Sequence, residues 1–245
     1  MRAVVLAAGY ATRLYPLTLD RPKALLPVGG KPILDHLLDR LDEIPGLDAV
    51  HVVTNSKFVG ALREWVEASG RGARILDDGT DSEETKLGAI GDLELAIRSE
   101  SIDDDLLVLA GDNLFSESFA PFTVFGREKG APALGVYDVG DLDVIRGRYN
   151  AIELDGADRV VFFEEKPERP TSTLTGIALY FYPRSSLGWV RRYLEEGNNP
   201  DQPGRLIEWL YPQTPVYAWT VPGRWYDVGS KETLAEADRA FSAST

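Results

Sequence analysis

The stretch Ala3-Val4-Val5-Leu6-Ala7-Ala8-Gly9-Tyr10-Ala11-Thr12-Arg13-Leu14-Tyr15-Pro16-Leu17-Thr18 decides the fold. Residues 3–7 are a short aliphatic run that stops against Ala8 and Gly9, the pattern of a buried strand entering a tight loop. Working outward, residues 49–53, 74–76 and 106–109 repeat it. Helical spacing fills the intervals: Ile33, Leu34, Leu37, Leu38 and Leu41 after Pro32, then Phe58, Leu62, Trp65 and Val66, then Leu87, Ile90, Leu93 and Ile97. Strand alternating with helix predicts parallel βαβ units in a sheet covered on both faces. Pro32 is expected in the first turn of its helix, where a missing N–H does no harm.

Beyond residue 130 the rhythm changes. Strands are predicted in close succession at 133–137, 151–154, 160–163 and 177–182, with turns at Asp155-Gly156 and at 168–170. Helices are expected at 187–194 and 206–211, a strand at 216–221 and a closing helix at 231–241. No Ser/Gly-rich linker, internal repeat or low-complexity tract divides the chain, so residues 1–245 are read as one domain with an α/β first half and an antiparallel-rich second half.

Composition narrows the function. The 245 residues carry 26 Lys and Arg against 39 Asp and Glu, a net charge of −13. That argues against a general binder of nucleic acid or anionic membrane, which needs a basic face. No apolar run approaches the roughly 18 residues that cross a bilayer, and the opening residues are too short and too quickly charged for a secretory signal. A soluble, cytoplasmic protein is expected. Cysteine is absent, which removes disulfides, thiolate metal sites and cysteine nucleophiles. The two histidines, His36 and His51, fall within predicted elements and are read as structural.

The loop after the first strand carries the chemistry. In an open parallel sheet, ligands sit beyond the carboxyl ends of the strands, where this loop lies. Ala7, Ala8, Gly9 and Ala11 let the backbone approach a ligand, while Arg13, Arg21, Lys23 and Lys31 bring positive charge into an acidic chain. This is the chemistry of a polyphosphate cradle. It is neither a Walker loop nor a dinucleotide fingerprint, because Gly-x4-Gly-Lys-Ser/Thr and Gly-x-Gly-x-x-Gly are both missing.

Residues 6–18, continued by Arg21-Pro22-Lys23-Ala24-Leu25-Leu26-Pro27-Val28 and Lys31-Pro32, resemble the signature of the sugar-1-phosphate nucleotidylyltransferases, such as the glucose-1-phosphate thymidylyltransferases. Three later segments extend the resemblance: Gly111-Asp112-Asn113, Glu164-Glu165-Lys166-Pro167 and Trp225-Tyr226-Asp227-Val228-Gly229-Ser230. It implies an α/β, Rossmann-like nucleotidyltransferase fold, with a mixed, mostly parallel central sheet flanked by helices and a smaller antiparallel-rich sugar-binding part. No C-terminal β-helix domain is expected, since hexapeptide repeats are missing.

The resemblance also implies the reaction and its residues. A nucleoside triphosphate and a sugar 1-phosphate give a nucleotide-sugar and pyrophosphate, by in-line attack on the α-phosphorus with Mg²⁺ as cofactor. Arg13 and Lys23 would be catalytic, on the leaving pyrophosphate and the α-phosphate. Ala8, Gly9, Thr12, Gly88 and Asp112 would bind the nucleotide. Asn150, Glu165, Lys166 and Thr175 would bind the sugar phosphate, and Asp112 and Asp227 the metal. Nucleic acid and membrane are not expected partners. Trp189, Trp209 and Trp219 read as core packing or as the interface of a homo-oligomer.

Three departures matter. Ala11 stands where the family usually has a second glycine, and a side chain there restricts φ. The segment from Asp77 to Ile90 contains no glutamine, whereas thymidylyltransferases use one there to help read the base; the chain's only glutamines are Gln202 and Gln213. Residues 83–86 are the expected place of altered base recognition. Tyr149-Asn150-Ala151 replaces the usual Tyr-Gly-Val, and is expected to turn a side-chain amide toward the sugar. Base and sugar stay open, and two other readings stand beside the first: a cytidylyltransferase acting on a non-sugar phosphate such as phosphocholine, and a catalytically silent nucleotide-sugar-binding regulatory subunit.

Overall fold

The computed structural model describes residues 1–243; residues 244 and 245, the end of the expected domain, lie outside the described residues. The first half runs β1 (Arg2–Leu6), β2 (Pro27–Val28), β3 (Lys31–Pro32), α1 (Ile33–Asp42), β4 (Ala49–Thr54), α2 (Val59–Ser69), β5 (Ala73–Asp77), α3 (Ala89–Ser99), β6 (Leu106–Ala110), β7 (Asn113–Phe115) and α4 (Ala120–Lys129). The second half follows as β8 (Ala133–Asp138), α5 (Leu142–Ile145), β9 (Ala151–Leu154), β10 (Val160–Glu164), β11 (Leu174–Tyr182), α6 (Gly188–Glu195), α7 (Pro203–Leu210), β12 (Tyr217–Thr220), β13 (Trp225–Asp227) and α8 (Lys231–Ser242).

Seven strands form the central sheet in the order β12-β8-β11-β6-β1-β4-β5, and β11 alone runs against the others. The mixed, mostly parallel sheet expected from the sequence is therefore what the chain builds. The second half is less separate than its hairpin-like rhythm suggested. Its strands β8, β11 and β12 extend the same sheet, while β9 and β10 form a detached antiparallel pair and β13 pairs with β7 of the first half.

Burial on both faces explains why the central strands read as unbroken apolar runs. Val4 faces one core with Ile90, Leu93, Val190 and Leu206, so α3, α6 and α7 cover that side. Ala3 and Val5 face the other with Leu34, Leu37, Leu62 and Phe122, contributed by α1, α2 and α4. Leu106 and Val108 in β6 join the first core, and Leu107 and Leu109 the second. The capping box of Ser230 and Thr233 starts α8, which packs Ala237 against Leu14, Leu26, Val28 and Val228. Among the described residues, no helix is long and apolar enough to cross a membrane.

The structure corrects several local expectations. Pro32 is extended and lies just outside α1, at its N-cap, because it first pairs in the small β2–β3 hairpin. Helix α4 and the strand pair β7–β13 were not read from the sequence at all. Trp189 and Trp209 stack edge to face and Trp219 packs on Phe122, all three against the cores, which agrees with the packing reading.

Helix α4 hides its periodicity because its buried face is built from Phe122, Thr123 and a small residue, Gly126. A Cβ at Gly126 would run into the Phe181 ring of β11. Gly126→Ala should therefore destabilise the fold by about 1–3 kcal/mol through overpacking, despite alanine's better helix propensity. Urea denaturation of the two proteins checks it, and a variant as stable as wild type would contradict this packing.

Candidate active site

The sheet order reverses at β1, whose neighbours are β4 on one side and β6 on the other. Such a switch point opens a crevice beyond the strand ends. A cleft of about 510 Å³ lies there, lined by the loop after β1, by the first turn of α3, by residues 110–113 after β6, by residues 148–150 and by Glu165 and Lys166. Its size suits a nucleotide-sized ligand.

The loop is built from the strand ends outward. The Ala7 N–H donates to Val53 O (2.8 Å) and the Gly111 N–H to Leu6 O (2.8 Å), locking both sides of β1. Buried Asn55 donates its Nδ2 to Ala8 O (2.7 Å). Gly9 leaves open space where a side chain would stand. Ala11 adopts the left-handed conformation (φ 52, ψ 43) that a glycine takes without strain, and Thr18 Oγ1 clamps its carbonyl at 2.9 Å. The departure at residue 11 therefore leaves the turn in a glycine-like geometry. From it a short 3₁₀ turn, Thr12–Leu14, carries Arg13 into the cleft.

Two aspartates from opposite halves of the chain meet across this cleft. Strand β13 pairs with β7 so that Asp227 lies opposite Asn113, and the Val228 N–H donates to Asp112 O (3.0 Å). Lys23 Nζ sits 2.6 Å from Asp112 Oδ2, and Asn113 Nδ2 donates to Asp112 Oδ1 at 2.7 Å. Burial raises the Asp112 carboxyl, but the Lys23 charge and these hydrogen bonds outweigh it and hold the group below its ordinary range. Asp227 goes the other way: burial, then the Asp112 charge, raise it against Lys23, Arg148 and Arg13. Tyr149 donates its hydroxyl toward Asp227 Oδ2 (3.4 Å) and is itself raised to about 12 by burial and by that carboxylate.

This pair fits a hard divalent cation. Two carboxylates held close enough for one to raise the other carry excess negative charge, which a cation between them relieves. Among the described residues no group of three or more His, Cys, Asp or Glu could hold a metal. Two protein ligands, completed by water and phosphate oxygens, are the usual complement for Mg²⁺ and too few for a dedicated protein cage.

On the β11 side the expected sugar residues divide. Glu165 and Lys166 line the cleft, Lys166 with a left-handed backbone (φ 52). Glu165 Oε2 is sealed from solvent without a hydrogen-bond partner among the described residues, and burial raises the carboxyl. Asn150 also borders the cleft, but its amide is turned inward: Nδ2 donates to Gly176 O (2.9 Å), and Oδ1 accepts from the Gly176 N–H (2.6 Å) and from Thr175 Oγ1 (3.2 Å). The expectation that this amide faces the sugar is corrected, because it is engaged in holding the irregular stretch of β11 after Gly176. Thr175 is fully buried behind it and does not line the cleft.

Arg148 and Asp92 were missed, and Lys86 falls in the segment 83–86 already expected to alter base recognition. Arg148 lies in the cleft over the Tyr149 ring (4.7 Å) and bears electrostatically on Asp227; its place beside the Tyr149-Asn150 pair was the available signal. Lys86 bridges Glu83 (2.6 Å) and Asp201 (2.9 Å) at the cleft rim. Asp92, in the first turn of α3, is only 5% exposed and pairs with buried Asp78 just past β5. Asp78 Oδ2 and Asp92 Oδ1 are sealed, with no N–H or O–H partner among the described residues, so each has the other to share a proton with. The four-residue spacing from Asp92 to buried Ala96 marks it as inward-facing.

The chain belongs to the nucleotidyl transferase family, which matches residues 2–244. It is 30% identical to the mannose-1-phosphate guanylyltransferase of Mycobacterium tuberculosis over 94% of this chain and 61% of that protein. It is 24% identical to the bifunctional protein GlmU of Methanocaldococcus jannaschii over 98% of this chain and 54% of that protein. The chain thus spans roughly half to three-fifths of the length of these relatives. A crystal structure of UDP-glucose pyrophosphorylase complexed with UDP-glucose shares the fold, with a TM-score of 0.82 at 19% identity, covering 100% of this chain and 99% of that one.

The Asp78–Asp92 pair makes stability depend on pH. Burial, followed by the Asp78 charge, pushes Asp92 up to about 8 from an ordinary value of 3.8. Between those values the folded protein holds a proton that the unfolded chain has released, so stability falls as pH rises, by up to ~1.4 kcal/mol per pH unit. Asp92→Asn removes the titration. Its gain in melting temperature over wild type should be small near pH 4.5 and widen up to about pH 8; a gain that does not change with pH would refute the shared proton.

Proposed function

We propose that this protein transfers a nucleotidyl group from a nucleoside triphosphate to a sugar 1-phosphate, releasing pyrophosphate. The observation that carries this reading is the convergence of Asp112, Asp227, Lys23 and Arg13 in a cleft whose other wall holds Lys166 and the sealed Glu165 carboxyl. Family membership and relatives named for sugar-phosphate nucleotidyl transfer support it.

The chemistry needs no general base, because a phosphate monoester oxygen is already anionic at neutral pH. That oxygen attacks the α-phosphorus in line; the new P–O bond forms as the bond to the bridging oxygen of pyrophosphate breaks. The barrier is repulsion between two anions and charge gathering on the leaving group, which positioned cations reduce. Arg13 holds the β- and γ-phosphates and follows the leaving pyrophosphate. Lys23 moves from Asp112 to the α-phosphate. Lys166 holds the phosphate of the sugar, and Glu165 Oε2, lacking a donor, accepts from a sugar hydroxyl.

Asp112 and Asp227 would hold Mg²⁺, which when bound neutralises charge between the reacting phosphates. Ala8, Gly9, Thr12 and Gly88 give the nucleotide close backbone approach. Asn150 and Thr175 act behind the site by fixing β11 and leave the sugar contacts to other groups.

The test is pyrophosphate release with Mg²⁺, each common nucleoside triphosphate and a panel of sugar 1-phosphates. At least one pairing should turn over. Asp112→Asn or Asp227→Asn should lower that turnover by two or more orders of magnitude with the fold intact, and Lys166→Ala should raise the KM for the sugar phosphate about tenfold. Nucleotide binding without turnover would favour a regulatory binder, and turnover only with CTP and phosphocholine would favour a non-sugar cytidylyltransferase.

A further inference from the structure

The two ends of the cleft belong to different parts of the sheet. The expected sugar residues stand on the β11 side, whereas Asp92 is tied to Asp78, just past β5 at the opposite edge. Near Asp78, Thr80 donates its N–H to Asp78 Oδ1 (2.7 Å) and pairs its hydroxyl with Tyr10 (3.4 Å). Tyr10 and Asp92 both line the cleft together with Ala8, Gly9, Gly88 and Ala89. On the reading of the cleft as a nucleotide site, Asp92 therefore stands on the β5 side with the loop after β1, the side left for the base when the sugar phosphate takes the β11 side.

Donors and acceptors at this end are unequal. The first N–H groups of α3, from Ala89 and Ile90, donate to Asp201 O (3.3 Å) and Pro200 O (2.9 Å). The Lys86 ammonium is bonded to Glu83 and Asp201, and Asn55 Nδ2 to Ala8 O. Gly88 owes its place to the same contact, since its left-handed backbone (φ 79) packs on Pro200 so tightly that a Cβ would lie 2.6 Å from Pro200 O. The donors are engaged, while Asp92 keeps acceptor capacity. Apart from the proton it shares with Asp78, the Asp92 carboxyl has no protein N–H or O–H donor among the described residues, on a side chain that is nearly sealed and lines the cleft.

We propose that Asp92 is a base-selecting residue that accepts a hydrogen bond from the exocyclic amino group of the nucleobase, so that the protein takes an amino-bearing nucleoside triphosphate, ATP, GTP or CTP, in preference to UTP or dTTP. The proposal rests on the reading of the cleft as a nucleotide site. A uracil or thymine ring offers a carbonyl where the amino group would be, and sets oxygen against oxygen. A site built around a buried acceptor rejects a ligand lacking the donor far more strongly than an apolar pocket rejects a change in shape.

The experiment measures binding of ATP, GTP, CTP, UTP and dTTP to the full chain by calorimetry, without sugar phosphate. Wild type should bind at least one amino-bearing triphosphate tenfold or more tighter than UTP and dTTP. Asp92→Ala should bring the ratio within about threefold. Asp92→Asn should keep it, because the amide can donate to Asp78 through Nδ2 and turn Oδ1 to the base, while Asp92→Ser, which keeps the bond to Asp78 without that second acceptor, should lose it, a split that a merely structural role does not predict. If the alanine protein does not fold, Asp92→Ser, whose hydroxyl can still donate to Asp78, replaces it.

Tightest binding of UTP or dTTP by wild type, or an undiminished preference without the carboxyl, overturns the proposal. Pyrophosphate release separates the two readings. Turnover that is fastest with UTP or dTTP sinks the base preference and leaves nucleotidyl transfer standing. The expected binding order with no turnover for any sugar phosphate does the reverse, and absence of nucleotide binding sinks both.

Discussion

The short pairing of β7 with β13 is the contact on which the site depends. It involves three residues on each strand, yet it carries Asp227 from the end of the chain to the carboxyl end of β6, where Asp112 lies. Neither aspartate has a metal-binding environment alone. Together they raise one another's demand for positive charge, which Lys23 meets in part from the loop after β1. The pairing is reinforced from the side: Trp225 Nε1 donates to Asn113 Oδ1, and the Trp225 ring packs on Tyr137 and Tyr149. Closing so long a segment for so few ladder bonds is unfavourable in chain entropy unless other contacts share the cost. The packing of α8 against Leu14, Leu26 and Val228 supplies them, so the helix that ends the described chain also holds the second carboxylate in place.

Much of this was legible because the informative signals are local. The runs that became β1 and β6 are continuous and aliphatic, as two-sided burial demands, and the cradle residues Ala8, Gly9, Arg13 and Lys23 follow β1 within a single loop. What escaped depended on pairing between distant segments. Residues 113–115 and 225–227 are too short to show a period of two, and only their mutual register makes them strands. The antiparallel rhythm after residue 130 was real, but β11 inserts between β6 and β8, and nothing in a linear reading says which neighbours a strand takes.

Asn150, expected to face the sugar, and Asp92, not singled out in the sequence, differ from the structure for a related reason. A polar side chain at a ligand-binding position is most simply read as facing the ligand, and Asn150 instead satisfies the backbone of β11 across 26 positions. Buried N–H and C=O groups must find partners, and an irregular strand leaves some that only a side chain can reach. Asp92 is the converse case. An acid within a helical segment reads as solvated, but the exposed faces of α3 lie elsewhere and Asp92 shares its buried side with Ala96. In both places the three-dimensional hydrogen-bond inventory reverses what residue type alone suggests.

Charge gives the last constraint. A chain at −13 repels a polyphosphate as a whole, so the cleft must concentrate cations and hold them apart from neutralising partners. Arg13 and Lys166 make no ion pair among the described residues, whereas Lys23 is held by Asp112 and Lys86 by Glu83 and Asp201. Under the proposed reaction, the phosphate-facing cations would thus divide into two that meet an incoming anion unpaired and one, Lys23, that must exchange a carboxylate for it. Such an exchange exposes the Asp112 charge at the moment a second anion arrives, and it is unfavourable unless another positive charge takes the vacated carboxylate. Arg148, already bearing on Asp227 from the Tyr149 side, is placed to meet part of that need, and the divalent cation of the proposed reaction would meet the rest. Under the proposed reaction, the ion pair between Lys23 and Asp112 would therefore tie cation and nucleotide binding to each other, since either one alone would leave a buried charge without its partner.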